Sequence, residues 1–528
     1  MSFKENTQEV DEKLAALITN SNAIRAVASA VEGTIGPKGL DIMLVDRFGE
    51  VTITNDGVTI LKQMDVNHPA AKILINIAKA QQEEVGDGTT TATLMAGTMV
   101  SEGVGQILKG VPVARVIEGI KIGINKARET LESKIILVKD IDDPNLKNIA
   151  LIAGRENRDI AELVTEAAKL VGKEKLKDKN YKLKDIIMSR AGAKNEVFLG
   201  LIIDKEKMNS QMPQEFQNPR VLLIDDALEP EEVAPEALRT EAGFARYLEL
   251  KEEFKENLKK IIELKVNLVL VDKSINNEAE EVLTDAGIIA LERVSRKDME
   301  KICEHTGARI MKRLGLKKSV EEIQSYIGQA DRVYEDERLK QLRIVGGKGT
   351  PMATVMVGAA TEEIAGERER IAKDAASSLQ AAVLYGMVPG GGAVEIAMSR
   401  ALEKERNKIK GMAAYGIDCV ISALKRPLAQ IVYNSGYNPL EKVEEVIYTQ
   451  TENKVSSIGI NCDSGQLADM VELGVLDPAR VKSYALKAAG EVSEAILRIN
   501  TIIKKRDDVS TGQKTAQEPT MGINEMDF

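Results

Sequence analysis

Apolar positions recur every three or four residues over most of this chain, and every second residue over a few short stretches. Between Pro69 and Val85, Ile73, Leu74, Ile77 and Ala78 keep helical spacing, with Pro69 in the first turn. Gly86 predicts the stop, because glycine takes a left-handed cap without steric cost. A second helix is expected from Thr89, Thr90 and Thr91 through Ala92, Leu94, Met95 and Met99. Asp11 to Val31 also reads as a helix. Ile42 to Val45 and Val51 to Thr54 read as strands joined by a turn at Arg47 to Glu50. Val51 and Ile53 alternate with Thr52 and Thr54, which predicts one buried apolar face. A lone hairpin is marginal in water, so it should pack on its own domain or complete a neighbour's sheet. Residues 103 to 136 read as helical, and polar Lys139 to Pro144 marks a boundary. Helices with short strands are expected to about residue 200.

In the middle of the chain the pattern changes. Short apolar strands at Val221 to Ile224, Leu268 to Val271 and Ile288 to Leu291 alternate with helices at Asn277 to Ala286 and Arg296 to His305, which predicts an α/β layer domain. Glu232 to Lys265 interrupts it. Within that insertion Tyr247, Leu250, Phe254, Leu258 and Ile261 form a stripe between lysines and glutamates. The stripe implies either packing on the same domain or a moving flap, and Pro235 to Phe244 is expected to be mobile. Glu367 to Leu384 reads as a helix with Asp374 beside its apolar side, either a solvated flank or a placed acid. Helices dominate the remainder to Arg506, with loops at Asn434 to Gly436, Asn461 to Gly465 and Leu476 to Pro478. Asp507 to Phe528 is polar, aperiodic and expected to be disordered.

Composition narrows the picture. A chain of 528 residues suggests about three domains, and 43% hydrophobic residues can fill sizeable cores. A net charge of −10 argues against a general nucleic-acid footprint. Cys303, Cys419 and Cys462 are isolated and form no CxxC pair, which argues for a reducing compartment and against a disulfide framework or zinc site. His68 and His305 have no ligand spacing and read as structural. No signal peptide is visible, and no run approaches the roughly 20 apolar residues a bilayer span needs; the chain reads as cytoplasmic and not membrane-bound.

The candidate chemistry lies in loops. At Val85-Gly86-Asp87-Gly88-Thr89-Thr90-Thr91 the predicted helix start offers unpaired N–H groups to a phosphate, with glycine and threonines around it. Asp87 suits that place if a divalent cation lies between it and the phosphate. The other reading is a helix start capped by its own Asp and Thr. Gly33 to Gly39, with three glycines and a proline, could wrap a phosphate or serve as a plain turn. Asn55-Asp56-Gly57 reads as a turn or as a carboxylate held at a strand end. The three glycines after Val388-Pro389 allow close backbone approach to a ligand. Gly103-Val104-Gly105 follows no strand, and Gly346 to Thr350 lacks the P-loop spacing and reads as a turn between strands.

Taken in order, GTIGPKG (33–39), NDGVTIL (55–61), GDGTTT (86–91), VPGGG (388–392) and GVLDP (474–478) resemble a chaperonin. Asp204-Lys205 through Met212-Pro213 and the insertion are similar to the thermosome-like group II type. The resemblance implies a multidomain α and α/β fold. A mostly helical equatorial ATP-binding domain would comprise 1–138 and 388–528. A small hinge domain would comprise 139–200 and 354–387. An α/β apical client-binding domain would span 201–353, with a lid protrusion at about 232–264.

The same resemblance implies that Thr34, Gly36 and Pro37 line ATP. Asp87 would hold Mg2+, Gly88, Thr89, Thr90 and Thr91 the phosphates, and Gly391 and Asp477 the nucleoside, with Asp477 at the ribose. Asn461 and Cys462 would lie on the adenine side, and Asp56 and Asp374 would place the attacking water. The implied partners are unfolded clients and further copies in a double ring of eight per ring.

Departures are Ile42, where relatives often carry lysine, and Arg155, where thermosome-like chains carry a lysine thought to sense the γ-phosphate. Arginine keeps the charge but not the geometry. The tail lacks Gly-Gly-Met repeats. Together these point to a divergent prokaryotic member, the bacterial group III branch. Other readings are a group I-like chaperonin needing a co-chaperonin, a holdase with vestigial loops, or a small-molecule kinase or ligase.

Overall fold

The computed structural model describes residues 2–178 and 180–502; the polar tail from 507 lies outside them. The chain opens with α1 (Ser2–Glu32), the hairpin β1 (Ile42–Val45) and β2 (Val51–Thr54), then α2 (Gly57–Gln63), α3 (Pro69–Glu84), α4 (Thr89–Leu108) and α5 (Val113–Glu132). The helical stretch expected over 103–136 is broken, since Gly110 takes φ 95° and Pro112 caps α5. Leu14–Glu32 within α1 is long and apolar enough by composition to cross a membrane, contrary to the sequence reading. Here its Ile24, Val27 and Val31 pack into a core with α3, α4 and α5.

Next come α6 (Pro144–Ala153), α7 (Arg158–Val171), α8 (Lys173–Leu176), β3 (Ile187–Ala191), β4 (Glu196–Ile203), β5 (Glu215–Gln217) and β6 (Arg220–Ile224). The insertion contains α9 (Glu241–Glu263). The α/β region continues with β7 (Leu268–Val271), α10 (Asn277–Asp285), β8 (Ile289–Leu291), α11 (Arg296–Thr306), β9 (Ile310–Met311) and α12 (Val320–Gln324). It ends with β10 (Gly328–Gln329), β11 (Arg332–Asp336), β12 (Gln341–Val345) and β13 (Ala353–Ala359). β6, β7 and β8 run parallel, and β9 pairs parallel with β6. Because successive strand residues face opposite sides, Leu222, Ile224 and Val269 meet Phe254, Leu258 and Ile261 of α9 on one face. Val221, Leu223 and Leu268 meet Met299 and Ile302 of α11 and a second sheet on the other. That sheet has the order β3-β13-β4-β12-β11-β5.

Only the second half of α9 packs. Leu250, Phe254, Leu258 and Ile261 are buried, whereas Phe244 and Leu248 are 52% and 51% exposed. The packing reading therefore holds for the second half of the helix, and the first half is left uncovered.

The long α13 (Glu362–Tyr385) is followed by β14 (Met387–Pro389), α14 (Ala393–Arg406), α15 (Ala413–Asn434), α16 (Pro439–Glu452), β15 (Ile458–Ile460), β16 (Leu467–Asp469), β17 (Leu476–Pro478) and α17 (Ala479–Leu497). Leu476 to Pro478, expected as a loop, is a strand antiparallel to β14. α14, α15 and α17 return to the core of α1 to α5, while α16 and β15 pack on α14 and α15 in a smaller cluster. Ala372, Ala375, Leu379 and Ala382 of α13 instead share a separate core with α6, α7 and β13.

The hairpin reverses the expected sidedness. Met43, Val45, Val51 and Ile53 share the outward face at 52–62% exposure, while Thr54 is buried. Alternation names the residues that share a face; it does not say which face is covered. Ile42 is partly buried against the first core. His68 and His305 are structural, as expected: the first caps α3, and the second accepts the Gly347 N–H at 3.0 Å in the turn between β12 and β13.

Candidate functional site

The site forms where α3 ends and α4 begins. Gly86 and Gly88 take left-handed angles, φ 81° and 77°. Space demands glycine as well as angle: a Cβ at 86 would lie 2.5 Å from Ser377, and one at 88 would lie 2.5 Å from Val481. The turn is pressed between α13 and α17. Gly88 is the N-cap of α4 and no side chain caps it, so the reading of an ordinary side-chain-capped start does not hold. The N–H groups of Thr89, Thr90 and Thr91 face an anion site by the usual logic of helix starts.

Asp87 is held by two donors. The Gly88 N–H donates to Oδ1 at 2.6 Å and the Ser378 hydroxyl to Oδ2 at 2.7 Å. Burial pushes its carboxyl above the ordinary range, and Asp477 adds to this. Asp56 is the N-cap of α2, its Oδ2 accepting from the Thr59 N–H at 3.0 Å and the Thr59 hydroxyl at 2.6 Å. The following Gly57 lies against Thr90, so β2's end meets the start of α4.

Asp374 arrives from α13, in a different core. The Gln82 amide donates to its Oδ1 at 3.2 Å. Burial, then the charges of Asp56 and Asp87, raise its carboxyl well above the usual value. Three acids from three chain segments thus converge. Arg155 stands beside them, 3.9 Å from Asp374 and 2.5 Å from Glu367. Arg155 and Glu156 take φ 52° and 62°, left-handed angles that cost about 1–3 kcal/mol each.

On the far side, Asp477 in β17 sits opposite Val388 and beside Gly390. Its Oδ2 is 2.7 Å from Lys482 Nζ, which also lies 2.7 Å from Glu395 Oε1. Burial alone would lower the Lys482 ammonium, but Asp477 and Glu395 outweigh it and hold it above its ordinary value. Gly391 lies against Met470.

The Gly33 to Gly39 loop belongs to a second group of residues. The Thr34 hydroxyl donates to the Val31 carbonyl at 2.8 Å, and the Asn434 amide donates to the Glu32 and Ile35 carbonyls at 2.9 Å. Gly36 packs on Ile431, and Pro37 completes the bend. Lys38 pairs with Asp463 at 2.6 Å, tying the loop to the turn that holds Asn461 and Cys462. Burial raises the Cys462 thiol, and the nearby Ser435 hydroxyl pulls the other way. The Asn461 side chain accepts the Asp463 N–H at 2.9 Å, so it shapes its own turn.

The donor set fits a Mg2+ that shares its shell with phosphates. Asp87 keeps a second lone pair on each oxygen, and among the described residues no three His, Cys, Asp or Glu side chains group as a metal cage. Ser378, Gln82, Lys482 and Glu395 escaped the sequence reading. Ser378 lies one turn beyond Asp374, the one signal that could have found it.

Comparison with known proteins identifies the family and the fold. The model of the TCP-1/cpn60 chaperonin family matches residues 27–507. A thermosome subunit of Pyrococcus horikoshii is 34% identical over 96% of this chain and 95% of its own length. The thermosome subunit alpha of Thermoplasma acidophilum is 34% identical over 97% and 95%. The crystal structure of a group III chaperonin in the open state superposes with a TM-score of 0.87 at 44% identity, covering 94% of this chain and all of that one. A family match spanning nearly the whole chain, with relatives about a third identical over their full length, makes this protein a member of the TCP-1/cpn60 chaperonin family.

Proposed function

We propose that this chain is an ATP-driven chaperonin that encloses unfolded proteins in a ring chamber and closes it with its own α9 protrusion. The observation that carries this reading is the meeting of Asp56, Asp87 and Asp374 at an uncapped helix start, with Asp374 supplied by a separate body. In this reading 1–138 and 388–528 form the equatorial domain, 139–200 and 354–387 the intermediate domain, and 201–353 the apical domain. The distribution of the hydrophobic cores supports that division.

Phosphoryl transfer needs positioning and charge neutralisation more than covalent help. Asp87 would hold Mg2+, which supplies charge neutralisation at the triphosphate when bound. The N-terminal amides of α4 take phosphate oxygens, and Asp56 and Asp374 orient the attacking water. The raised proton affinity of Asp374 makes it a stronger acceptor for the water's proton than an ordinary carboxylate. Because Asp374 rides on α13, tilting that helix opens and completes the site, which couples turnover to closure. Arg155 reads the far phosphate, and Glu367 is where it rests without one. Thr34, Gly36, Pro37, Gly391, Asn461, Cys462 and Asp477 line the nucleoside.

The outward apolar face of the β1–β2 hairpin favours pairing with a further copy, in a double ring of eight per ring. Free cysteines favour a cytoplasmic setting. Asp374→Ala should cut kcat for ATP by about 10²–10⁴-fold and stop ATP-dependent recovery of a denatured client. Wild-type turnover in that variant refutes the mechanism; client capture without any turnover in the wild type makes it a holdase.

A further inference from the structure

Lys482 is the most deeply buried cation beside the site, and phosphate chemistry as described above does not use it. It is 9% exposed on its side chain, Glu395 is 1% exposed, and the two heavy-atom distances from its ammonium are both 2.7 Å. The three groups come from α14, β17 and α17. One buried carboxylate, Glu395, and one partly buried, Asp477, against one lysine leave a net negative charge, next to Asp87, in a site that must accept a polyanion. That is an expensive arrangement for a purely structural role. Burying hydrocarbon there would stabilise the fold at least as well.

We infer that Lys482 is a positioning residue for nucleoside recognition: anchored by Glu395, it holds Asp477 by Oδ2 and so presents the other oxygen, Oδ1, to a ribose hydroxyl. Packing supports this direction of hold. Asp477 Oδ2 also lies 3.1 Å from where a Cβ on Gly390 would stand, as near as the Val475 carbonyl, so that oxygen faces protein. The backbone of β17 is fixed against β14 at Val388↔Asp477. With the strand and one oxygen fixed, only Oδ1 is left to receive a donor. Glu395 keeps the ammonium from following Asp477 toward the ligand. The lysine itself touches no substrate atom.

This inference rests on the reading of Asp477 at the ribose, and the test separates the two. The probes are ATP, 2′-deoxy-ATP and 3′-deoxy-ATP, and the readout is the ratio of KM for each deoxynucleotide to KM for ATP in the assembled protein. A hydroxyl donating to a charged acceptor predicts a ratio of about tenfold or more for one of the two. Lys482→Met should bring that ratio to near one, and adding it to Asp477→Asn should change the ratio no further. A merely structural role raises KM for all three nucleotides together and leaves the ratio where it was; that result overturns the inference. Lys482→Arg preserves the buried charge, and with it assembly, while changing the direction of the hold. It should lower the ratio at least about threefold, and a wild-type ratio in Lys482→Arg overturns the inference equally. If Asp477→Asn itself leaves the ratio unchanged, the ribose reading and this inference both fall. If Asp477→Asn lowers it and neither lysine variant does, only the lysine inference falls.

Discussion

Ser378→Ala isolates one hydrogen bond of Asp87, the carboxylate proposed to hold Mg2+. The hydroxyl is buried and donates to Asp87 Oδ2 at 2.7 Å. A hydrogen bond to a charged group contributes about 1.5–3 kcal/mol. Its loss removes a donor that favours the ionised form and so raises the Asp87 carboxyl further. Cation binding needs the ionised form, so the Mg2+ concentration for half-maximal ATPase should rise about 10–100-fold, the usual effect of removing an outer-shell partner. The sign with pH follows. Protons compete with Mg2+ for Asp87, so the defect should deepen as pH falls and shrink as pH rises. The assay is steady-state ATPase titrated with Mg2+ at saturating ATP, from pH 6 to 8.5. An unchanged Mg2+ midpoint and an unchanged acid limb would refute the assignment of Asp87 as the cation ligand, because only the ligand's own ionisation links this hydroxyl to the metal.

Excising residues 233–248 and joining the ends should leave ATP turnover intact and abolish protection of an enclosed client from protease. Protection that persists without a co-chaperonin refutes the built-in lid. The excision must stop short of Leu250, because Phe254→Ala by itself should cost about 3–5 kcal/mol of apical stability, read as a lowered midpoint in chemical denaturation followed by apical probes. Asp374 and Asp87 both have folded pKa values raised above the unfolded ones. Between the two values the folded chain holds more protons, so their contribution to stability is present at low pH and lost as pH rises through the folded pKa. Nucleotide-free Asp374→Asn should therefore melt above the wild type at pH 8, with the gap closing on acidification; a pH-independent gap refutes the burial argument.

Much of this architecture is visible in the residue pattern, for physical reasons that also mark where it fails. Helices such as α3 carry their start in Pro69 and their stop in Gly86, both local signals. β6 to β8 carry theirs in continuous apolar runs. The break before α5 was equally legible in Gly110-Val111-Pro112, and periodicity on either side concealed it. The sidedness of the hairpin was not legible, because what covers Val51 and Ile53 is not encoded in their alternation. The same holds for the split of α9, whose stripe continues past the point where the sheet beneath it ends. At the site, glycine-rich loops announce themselves by composition. Lys482, Glu395 and Ser378 do not: each lies in an ordinary helical stretch and gains meaning only from a neighbour far away in sequence. Arg155 stands out through the chaperonin resemblance alone, and its ion pair with Glu367 joins residues too far apart in sequence for any pattern to link them.

The 24 residues of α13 run from Glu362 to Tyr385 and end at Gly386, where φ is 78°. At 1.5 Å per residue the rod is about 36 Å long, with Ser378 about 12 Å and Glu362 about 36 Å from that glycine. Any tilt pivoting there is geared: a 2 Å displacement at Ser378 becomes roughly 6 Å at Glu362, a threefold mechanical advantage set by rise per residue alone. A ligand the size of a phosphate can thereby drive a displacement wider than itself at the β13 end. Conversely, force applied at that end arrives at Asp87 multiplied by the same factor, so a load on the β13 end pushes back on the proposed nucleotide site.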